Sequence, residues 1–282
     1  MYNENIDIII PILLTRHGVP EGDRRDGYLN LLIDSIDKFT NHPYKIYVVP
    51  DVRNEEEQKL FKELQDFYKS RDDVSILKSK NTDNSHSDTR HTLKDGRVVG
   101  QCSINKSIAL ETGILEGKGK YICLLDSDCT FLNEWTELVL PLLKEYFFVT
   151  ASFRKDYNMA RDQFFIYDRE RFDKENLIPD CSIGDCGGNV TKYAEKNNFE
   201  FYICKNSTHW GDQSLKEQHL LDLEGYGEQI WVDEIPFLYH YNRGSSKNDY
   251  AFKLWLKVVG DYLKNHSGKT IVSKTEKMWW NE

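Results

Sequence analysis

The chain has 282 residues, of which 39% are hydrophobic and 13% aromatic, and it carries a formal net charge of −9. This length fits one large domain, or one domain with a C-terminal extension. The high aromatic content excludes an intrinsically disordered chain. The excess of acidic residues argues against sequence-independent nucleic-acid binding, because proteins of that class neutralise phosphates with Lys and Arg.

The sequence also predicts the compartment. No apolar run approaches the roughly 20 residues that span a bilayer, so no transmembrane segment is expected. The polar N-terminus leads directly into a strand pattern, unlike a signal peptide. None of the six cysteines forms a Cys-x-x-Cys pair, and we therefore expect reduced thiols. These features predict a cytoplasmic protein.

The first half of the chain alternates between strand and helix patterns. A β-branched run over residues 6–12 predicts a buried first strand, and the polar residues 15–27 predict a loop. The next predicted elements are a helix over 28–39, a strand over 45–50, a helix over 55–69, a strand over 74–77, a long polar loop over 80–100 and a helix over 103–116. This order predicts an α/β fold with a mostly parallel central sheet flanked by helices.

The second half is more mixed. Its patterns predict, in order, a helix over 134–146, strands over 147–151 and 164–167, a helix over 187–197, a strand over 199–204, a late strand over 230–239 and a terminal helix over 250–264. No internal repeat or low-complexity linker interrupts the chain, so residues 1–282 are predicted to form a single domain.

One motif stands out at the end of a strand pattern. The apolar run over residues 121–125 is followed by Asp126, Ser127 and Asp128. In an extended chain, side chains at positions i and i+2 point to the same side, so the two carboxylates can converge on one ligand. Carboxylate oxygens suit Mg²⁺ or Mn²⁺, and open α/β sheets bind ligands at the C-terminal ends of their strands. The alternative interpretation is a plain turn, which Asp and Ser also favour.

With this order of elements, the chain resembles the GT-A-fold glycosyltransferases, nearest to the family-two group. The resemblance rests on residues 7–11 and 47–51 and on the block from Gly100 to Asp128, and it is better over the first half of the chain. It implies a GT-A-type fold with a Rossmann-like nucleotide-sugar-binding half over 1–130 and an acceptor half over 131–249. Residues 250–282 then form a C-terminal helix and tail.

The resemblance implies roles for residues of the first half. Thr15 lies in the polar loop under the nucleotide, and Asp51 takes the place of an Asp that contacts the base. Asn105 lies on the helix before the Asp-x-Asp strand. Asp128 is expected to bind the metal directly, whereas Asp126 contacts the ribose or a metal-bound water and so has a mixed substrate and metal role.

A late histidine is expected to complete the metal shell. His240 follows the last strand pattern, and many GT-A enzymes return a late His to the metal, which a neutral imidazole can bind. Arg243 and Ser245 follow in a polar, Gly-containing segment suited to diphosphate oxygens. His209 is the alternative histidine, and a His that is merely satisfied at a strand end is the bland interpretation.

The acceptor side offers a catalytic base. An inverting transfer needs a carboxylate to take the proton of the acceptor hydroxyl, and Asp185 precedes a predicted helix where it could instead cap the helix. Asp180 is a weaker candidate. The chain departs from the family here, because the usual Glu-Asp motif is absent and residues 184–188 lie nearest to its place. It also has Pro50-Asp51-Val52-Arg53 where the family has Asp-Asp-Gly-Ser.

The sequence therefore predicts a metal-dependent glycosyltransferase that uses Mn²⁺ or Mg²⁺. It would move a sugar from a nucleotide-diphosphate sugar to a hydroxyl acceptor such as a glycan, with inversion favoured over retention. Two alternatives remain open, a sugar-nucleotide nucleotidylyltransferase and a non-catalytic carbohydrate-binding protein on the same fold. The first would carry a clustered Gly pattern that residues 15–25 lack, and the intact Asp126/Asp128 pair argues against the second.

Overall fold

The computed structural model describes residues 2–14, 22–81, 89–92, 96, 98–182, 186–208, 211–241 and 249–266. In chain order, the strands of these ranges are β1 (Asn3–Leu13), β2 (Tyr44–Asp51), β3 (Val74–Ile76), β4 (Arg90–Thr92), β5 (Val98–Gly100), β6 (Gly119–Leu125), β7 (Cys129–Phe131), β8 (Phe148–Thr150), β9 (Phe153–Arg154), β10 (Met159–Ala160), β11 (Phe164–Asp168), β12 (Tyr202–Ile203), β13 (Lys205–Asn206), β14 (Glu228–Val232) and β15 (Ile235–His240). The helices are α1 (Gly22–Phe39), α2 (Glu55–Tyr68), α3 (Gln101–Glu116), α4 (Thr136–Val139), α5 (Arg169–Lys174), α6 (Gly188–Lys196) and α7 (Asp249–Asn265).

The central sheet has seven strands in the order β12-β8-β11-β6-β1-β2-β3. Neighbouring strands run parallel, except that β11 is antiparallel to both β6 and β8. The predicted mostly parallel sheet flanked by helices is confirmed. Strands of both predicted halves pair within this sheet, while the division of the chain into a donor half and an acceptor half stays a prediction.

Two apolar layers cover the faces of this sheet. Successive residues of β1 serve opposite faces, since Ile8 and Ile10 pack in one buried cluster and Ile9 in the other. Helices α1, α2 and α7 contribute to the first cluster, and α3, α5 and α6 contribute to the second. A strand that is buried on both faces carries apolar residues at successive positions, which explains the run Ile8-Ile9-Ile10 in β1.

A smaller antiparallel sheet adjoins the mouth of the central one. Its order is β13-β14-β15-β7, and β7 begins directly after Asp128. The pairing of β15 with β7 sets His240 opposite Cys129, and the pairing of β14 with β15 sets Glu228 opposite His240. This sheet therefore carries a late segment of the chain back to the Asp-Ser-Asp turn.

A buried ion pair connects elements at the end of the central sheet opposite the Asp-Ser-Asp turn. The Arg169 guanidinium lies 2.8 Å from Asp7 Oδ2, and it also donates to the carbonyl oxygens of Gly119 and Ile114 at 2.7 and 2.8 Å. The same Asp7 oxygen accepts the Gly119 backbone N–H at 2.7 Å. A Cβ on Gly117 would lie 2.2 Å from Asp7 Oδ2, so the close approach requires glycine there. These contacts join β1, α3, β6 and α5.

Several predicted elements differ from the observed ones. Helix α1 begins at Gly22, inside the predicted loop over 15–27, and the predicted loop over 80–100 contains the hairpin of β4 and β5. The predicted helix over 134–146 is short, because Pro141 lacks the N–H that would continue α4 and the chain forms a 3-10 turn over Leu140–Lys144. The predicted late strand is a hairpin, which turns at Asp233 with φ of 52°.

Within the described ranges, no helix combines the length and the apolar character that crossing a membrane requires.

Candidate active site

The Asp-Ser-Asp turn lies where the order of the central sheet reverses. The chain moves outward from β1 through β2 to β3, and α3 then returns it to the other side of β1, where β6 pairs. Ligands of open α/β sheets bind at such a switch point, outside the C-terminal ends of the strands. The backbone holds the turn in place, because Asp126 N–H donates to Gln163 O at 3.0 Å and Cys129 N–H donates to Asp126 O at 3.2 Å.

His240 joins both carboxylates of this turn. Its Nε2 lies 3.3 Å from Asp128 Oδ1 and 3.8 Å from Asp126 Oδ2. The backbone fixes this approach through the bond from Tyr241 N–H to Asp128 O, at 2.9 Å, and through the pairing of β15 with β7. The structure thus brings together the three residues that the sequence analysis assigned to the metal.

A third carboxylate lies behind the imidazole. Glu228 is 2% exposed, and its Oε1 lies 2.7 Å from His240 Nδ1. Gln163 Nε2 donates to the same oxygen at 3.1 Å, and Arg161 Nη1 lies 3.8 Å from it. Burial lowers the pKa of His240, but the charges of Asp128 and Glu228 outweigh this effect and raise the pKa to about 10. The imidazole of the metal-free protein is therefore protonated at neutral pH.

Lys106 of α3 supplies a positive charge on the other side of the turn. Its Nζ lies 2.5 Å from Asp126 Oδ1 and 2.9 Å from Asp162 Oδ2. Burial raises the pKa of Asp126, although the Lys106 ammonium opposes this shift. Burial acts in the same direction on Asp162, but there the Lys106 ammonium prevails and holds the pKa below its usual value. Both carboxylates therefore face a fixed cation, and Asp162 remains ionised.

The donor set fits a hard divalent cation. Ligand atoms of Asp128, Cys129 and His240 lie within 4.8 Å of one another. The Cys129 thiol is unsuited to the ion, because burial raises its pKa well above the usual value and its Sγ donates to Gln163 O at 3.4 Å. A carboxylate with an imidazole, and a second carboxylate 3.8 Å from that imidazole, suits Mn²⁺ or Mg²⁺.

The charge of the site supports this fit. Four carboxylates face two permanent cations around the turn, which leaves an excess of two negative charges when the imidazole is neutral. The carboxylates are Asp126, Asp128, Asp162 and Glu228, and the cations are Lys106 and Arg161. One divalent cation would balance the excess. The protonated His240 balances half of it in the metal-free protein.

The residues predicted to bind the nucleotide form a separate network. Asp51 Oδ2 accepts from Asn105 Nδ2 at 2.9 Å, and Asp51 Oδ1 accepts from Asn81 Nδ2 at 3.0 Å. Asn105 Oδ1 accepts in turn from Gln101 Nε2 at 2.7 Å. Asp51 is only 2% exposed, and burial raises its pKa. The structure therefore joins Asp51 to Asn105 at the C-terminal end of β2, and their contact with a base stays a prediction.

Four predicted site residues, and one alternative, lie outside the described ranges. They are Thr15, Asp185, Arg243 and Ser245, with His209 as the alternative histidine. Asp180 is described, and its Oδ1 accepts from the Ser182 backbone N–H at 2.9 Å, as in a local turn.

Sequence reasoning missed Lys106, Asp162 and Glu228. Lys106 directly follows Asn105, and the helical pattern gave no reason to separate it from a solvent-facing lysine. Asp162 and Glu228 each lie two residues before a predicted apolar strand. A carboxylate at the start of a strand pattern does not by itself indicate a functional site. A sheet register is needed to place them beside the turn.

Residues 58–191 match the family model described as glycosyl transferase family 2. Among curated proteins, none matches the chain.

Three solved structures are similar at low sequence identity. TarS 1–349 of S. aureus has 10% identity and a TM-score of 0.44, over 71% of this chain and 57% of TarS. The mannosyltransferase PcManGT from Pyrobaculum calidifontis, in complex with GDP-Man and Mn²⁺, has 12% identity and a TM-score of 0.47, over 94% of this chain and 71% of that one. The bifunctional glycosyltransferase WbbM has 13% identity and a TM-score of 0.38, over 62% of this chain and 33% of that one.

The family match bears on a region that includes α3, β6, the Asp-Ser-Asp turn and β11. The match therefore covers the block from Gly100 to Asp128, which is one of the regions on which the sequence resemblance rests. The predicted resemblance to the family-two glycosyltransferases is confirmed by this match over residues 58–191.

Proposed function

We propose that this protein is a metal-dependent glycosyltransferase, which transfers a sugar from a nucleotide-diphosphate sugar to a hydroxyl acceptor such as a glycan. The observation that carries the proposal is the convergence of Asp128, Asp126 and the His240 imidazole at the switch point of the sheet. The excess negative charge of this cluster supports a divalent cation, Mn²⁺ or Mg²⁺, as its ligand.

Asp128 and His240 would hold the ion, and Asp126 would share its carboxylate between the ion and the donor. When bound, the ion neutralises charge that develops on the diphosphate leaving group. Lys106 can add a second positive charge on the same side, since it lies against Asp126. Thr15, Arg243 and Ser245 are proposed donor contacts, and Asp51 with Asn105 is proposed to face the base.

We propose an inverting reaction. The oxygen of the acceptor hydroxyl forms a bond to the anomeric carbon, the bond from that carbon to the diphosphate oxygen breaks, and the nucleoside diphosphate leaves. The proton of the hydroxyl passes to a carboxylate, for which Asp185 is the candidate. Holding the acceptor oxygen close to the anomeric carbon lowers the entropic part of the barrier.

The function is tested by incubating the protein with a panel of nucleotide sugars, with Mn²⁺ or with EDTA. We expect slow release of free sugar and nucleoside diphosphate from one donor, and only with the metal. Exchange of pyrophosphate into the donor would instead identify a nucleotidylyltransferase. Binding of a donor without turnover, in the presence of glycan acceptors, would identify a carbohydrate-binding protein.

The base assignment has its own test. Asp185→Asn removes the proton acceptor but still caps a helix well. Turnover should fall by about 10²–10⁴-fold, which is the usual effect of losing a general base, while donor affinity stays unchanged. A near-normal rate would leave only the capping role. Retention of the donor configuration, seen by NMR of the product anomer, would remove the need for this base.

A further inference from the structure

Glu228 has no part in the chemistry proposed above, yet it is a buried carboxylate. Burying an ionised carboxylate is costly unless it is paired and hydrogen-bonded. Its Oε1 receives the His240 Nδ1 contact at 2.7 Å and the Gln163 amide at 3.1 Å, whereas Oε2 has no hydrogen-bond partner in the described part of the chain. The contacts of this carboxylate are thus concentrated on the oxygen that faces the imidazole.

The contact determines which imidazole nitrogen is available to the active site. When Nδ1 carries a proton and donates it to Glu228, the lone pair of a neutral imidazole lies on Nε2. That nitrogen is the one that faces the turn, at 3.3 Å from Asp128 Oδ1. In metal sites, an acceptor on the far nitrogen of a ligating His fixes its tautomer and ring orientation and increases its basicity.

Gln163 links Glu228 to the Asp-Ser-Asp turn. Gln163 Nε2 bonds both Glu228 Oε1 and, at 2.5 Å, Ser152 Oγ. The Gln163 backbone oxygen accepts the Asp126 N–H at 3.0 Å. One residue therefore connects the carboxylate behind the imidazole to the backbone of the Asp-Ser-Asp turn in front of it.

We propose that Glu228 is a positioning residue for the metal, which acts through His240 by accepting its Nδ1–H and directing Nε2 toward the Asp-Ser-Asp turn. This inference rests on the proposed metal-dependent function. It extends that function by one residue that touches neither the ion nor the sugar donor.

A double-mutant cycle on metal binding tests the inference without any activity measurement. Mn²⁺ is titrated into the donor-free protein, and the unbound ion is followed by EPR. The proteins are the wild type, Glu228→Gln, His240→Ala and the double variant. Loss of the residue that hydrogen-bonds a metal-ligating His typically weakens metal binding 10–100-fold. We expect about a tenfold loss for Glu228→Gln, because the amide can turn either its N–H₂ or its oxygen to the imidazole.

The cycle separates an effect through His240 from a structural effect. In the His240→Ala background, Glu228→Gln should cause a clearly smaller loss, that of one negative charge of the cluster, since the imidazole that it orients is gone. Glu134→Gln is the matched control, because Glu134 is also buried but accepts from the backbone N–H groups of Asn41 and Thr136. That variant should bind Mn²⁺ like the wild type.

Each other outcome overturns the inference. An equal loss from Glu228→Gln in both backgrounds, or no loss in either, excludes action through His240 and leaves the metal site standing. Unchanged affinity in His240→Ala overturns the inference together with the assignment of His240 as a ligand. If Glu228→Gln does not fold, Glu228→Asp replaces it in the cycle, since it keeps the charge and withdraws the carboxylate by one methylene.

Discussion

Raising the pH should destabilise the metal-free protein through His240. Its pKa rises from 6.5 to about 10 on folding. A group whose pKa is raised in the folded state contributes stability that is fully present below the unfolded pKa and is lost as the pH rises toward the folded one. With these two pKa values, the free energy of unfolding should fall by about 2.5 kcal/mol between pH 7 and pH 9.

This change is large enough to measure by thermal unfolding. An entropy of unfolding of about 2.1 cal/mol/K per residue gives a chain of 282 residues about 0.6 kcal/mol/K, so the loss corresponds to a Tm decrease of about 4 °C. Other groups titrate in the same range, and the comparison with His240→Gln removes their contribution. In EDTA, the wild type should lose about 4 °C more than this variant between pH 7 and pH 9. Parallel Tm curves of the two proteins would refute the protonated imidazole.

The same proton should compete with the metal. Binding of the ion at Nε2 requires the proton to leave, so the apparent affinity for Mn²⁺ should increase by up to about tenfold for each pH unit between 7 and 9. His240→Gln should bind Mn²⁺ weakly and with little dependence on pH. An affinity of the wild type that is flat over this range would show that the ion does not displace the proton.

Three further predictions concern other charges of the molecule. Asp128→Ala should abolish metal-dependent turnover and leave the fold intact, because the side chain lies at a turn and fills no core volume, while Tm in EDTA should fall because the protonated His240 loses a charge partner; wild-type activity with the same Mn²⁺ dependence would contradict the metal assignment. Lys106→Met should raise Mn²⁺ affinity, since a positive charge leaves the cluster, but should lower turnover; a parallel fall of both would indicate a structural role. Arg169→Met should lower the free energy of unfolding by about 3–5 kcal/mol, because it leaves Asp7 buried without its counter-charge, with unchanged Mn²⁺ affinity in titrations.

The central sheet was predictable because its signals are local. The β-branched run of β1 and the helical spacing of α2 and α3 each lie within a short window, and their order limits the topology. Asp126 and Asp128 could be recognised for the same reason, since they end such a run. Elements whose local sequence pattern is weaker were predicted less well. The apolar pattern predicted a helix over 134–146, but Pro141 makes the observed helix shorter.

The residues around the turn were harder to predict because they meet through non-local pairing. Lys106 reaches Asp126 and Asp162 only when α3 is packed on the sheet with that face inward. Glu228 reaches His240 only in one register of the hairpin. Neither condition has a signature in the amino-acid pattern. For the hairpin, a shift of one residue in the register moves every side chain of the strand to the other face of the sheet.

The hairpin register of β14 and β15 depends on a β-bulge. Near the turn, Trp231 pairs with Pro236, but the register then shifts, and Ile230 pairs with Leu238. The shift passes over Phe237, so β15 contains one extra residue. Without it, Glu228 would face Tyr239 in place of His240. In that register Gly227, which has no side chain, would lie opposite His240. The bulge therefore decides whether a carboxylate lies behind the imidazole, and the proposed metal site depends on this irregularity as much as on the Asp-Ser-Asp motif itself.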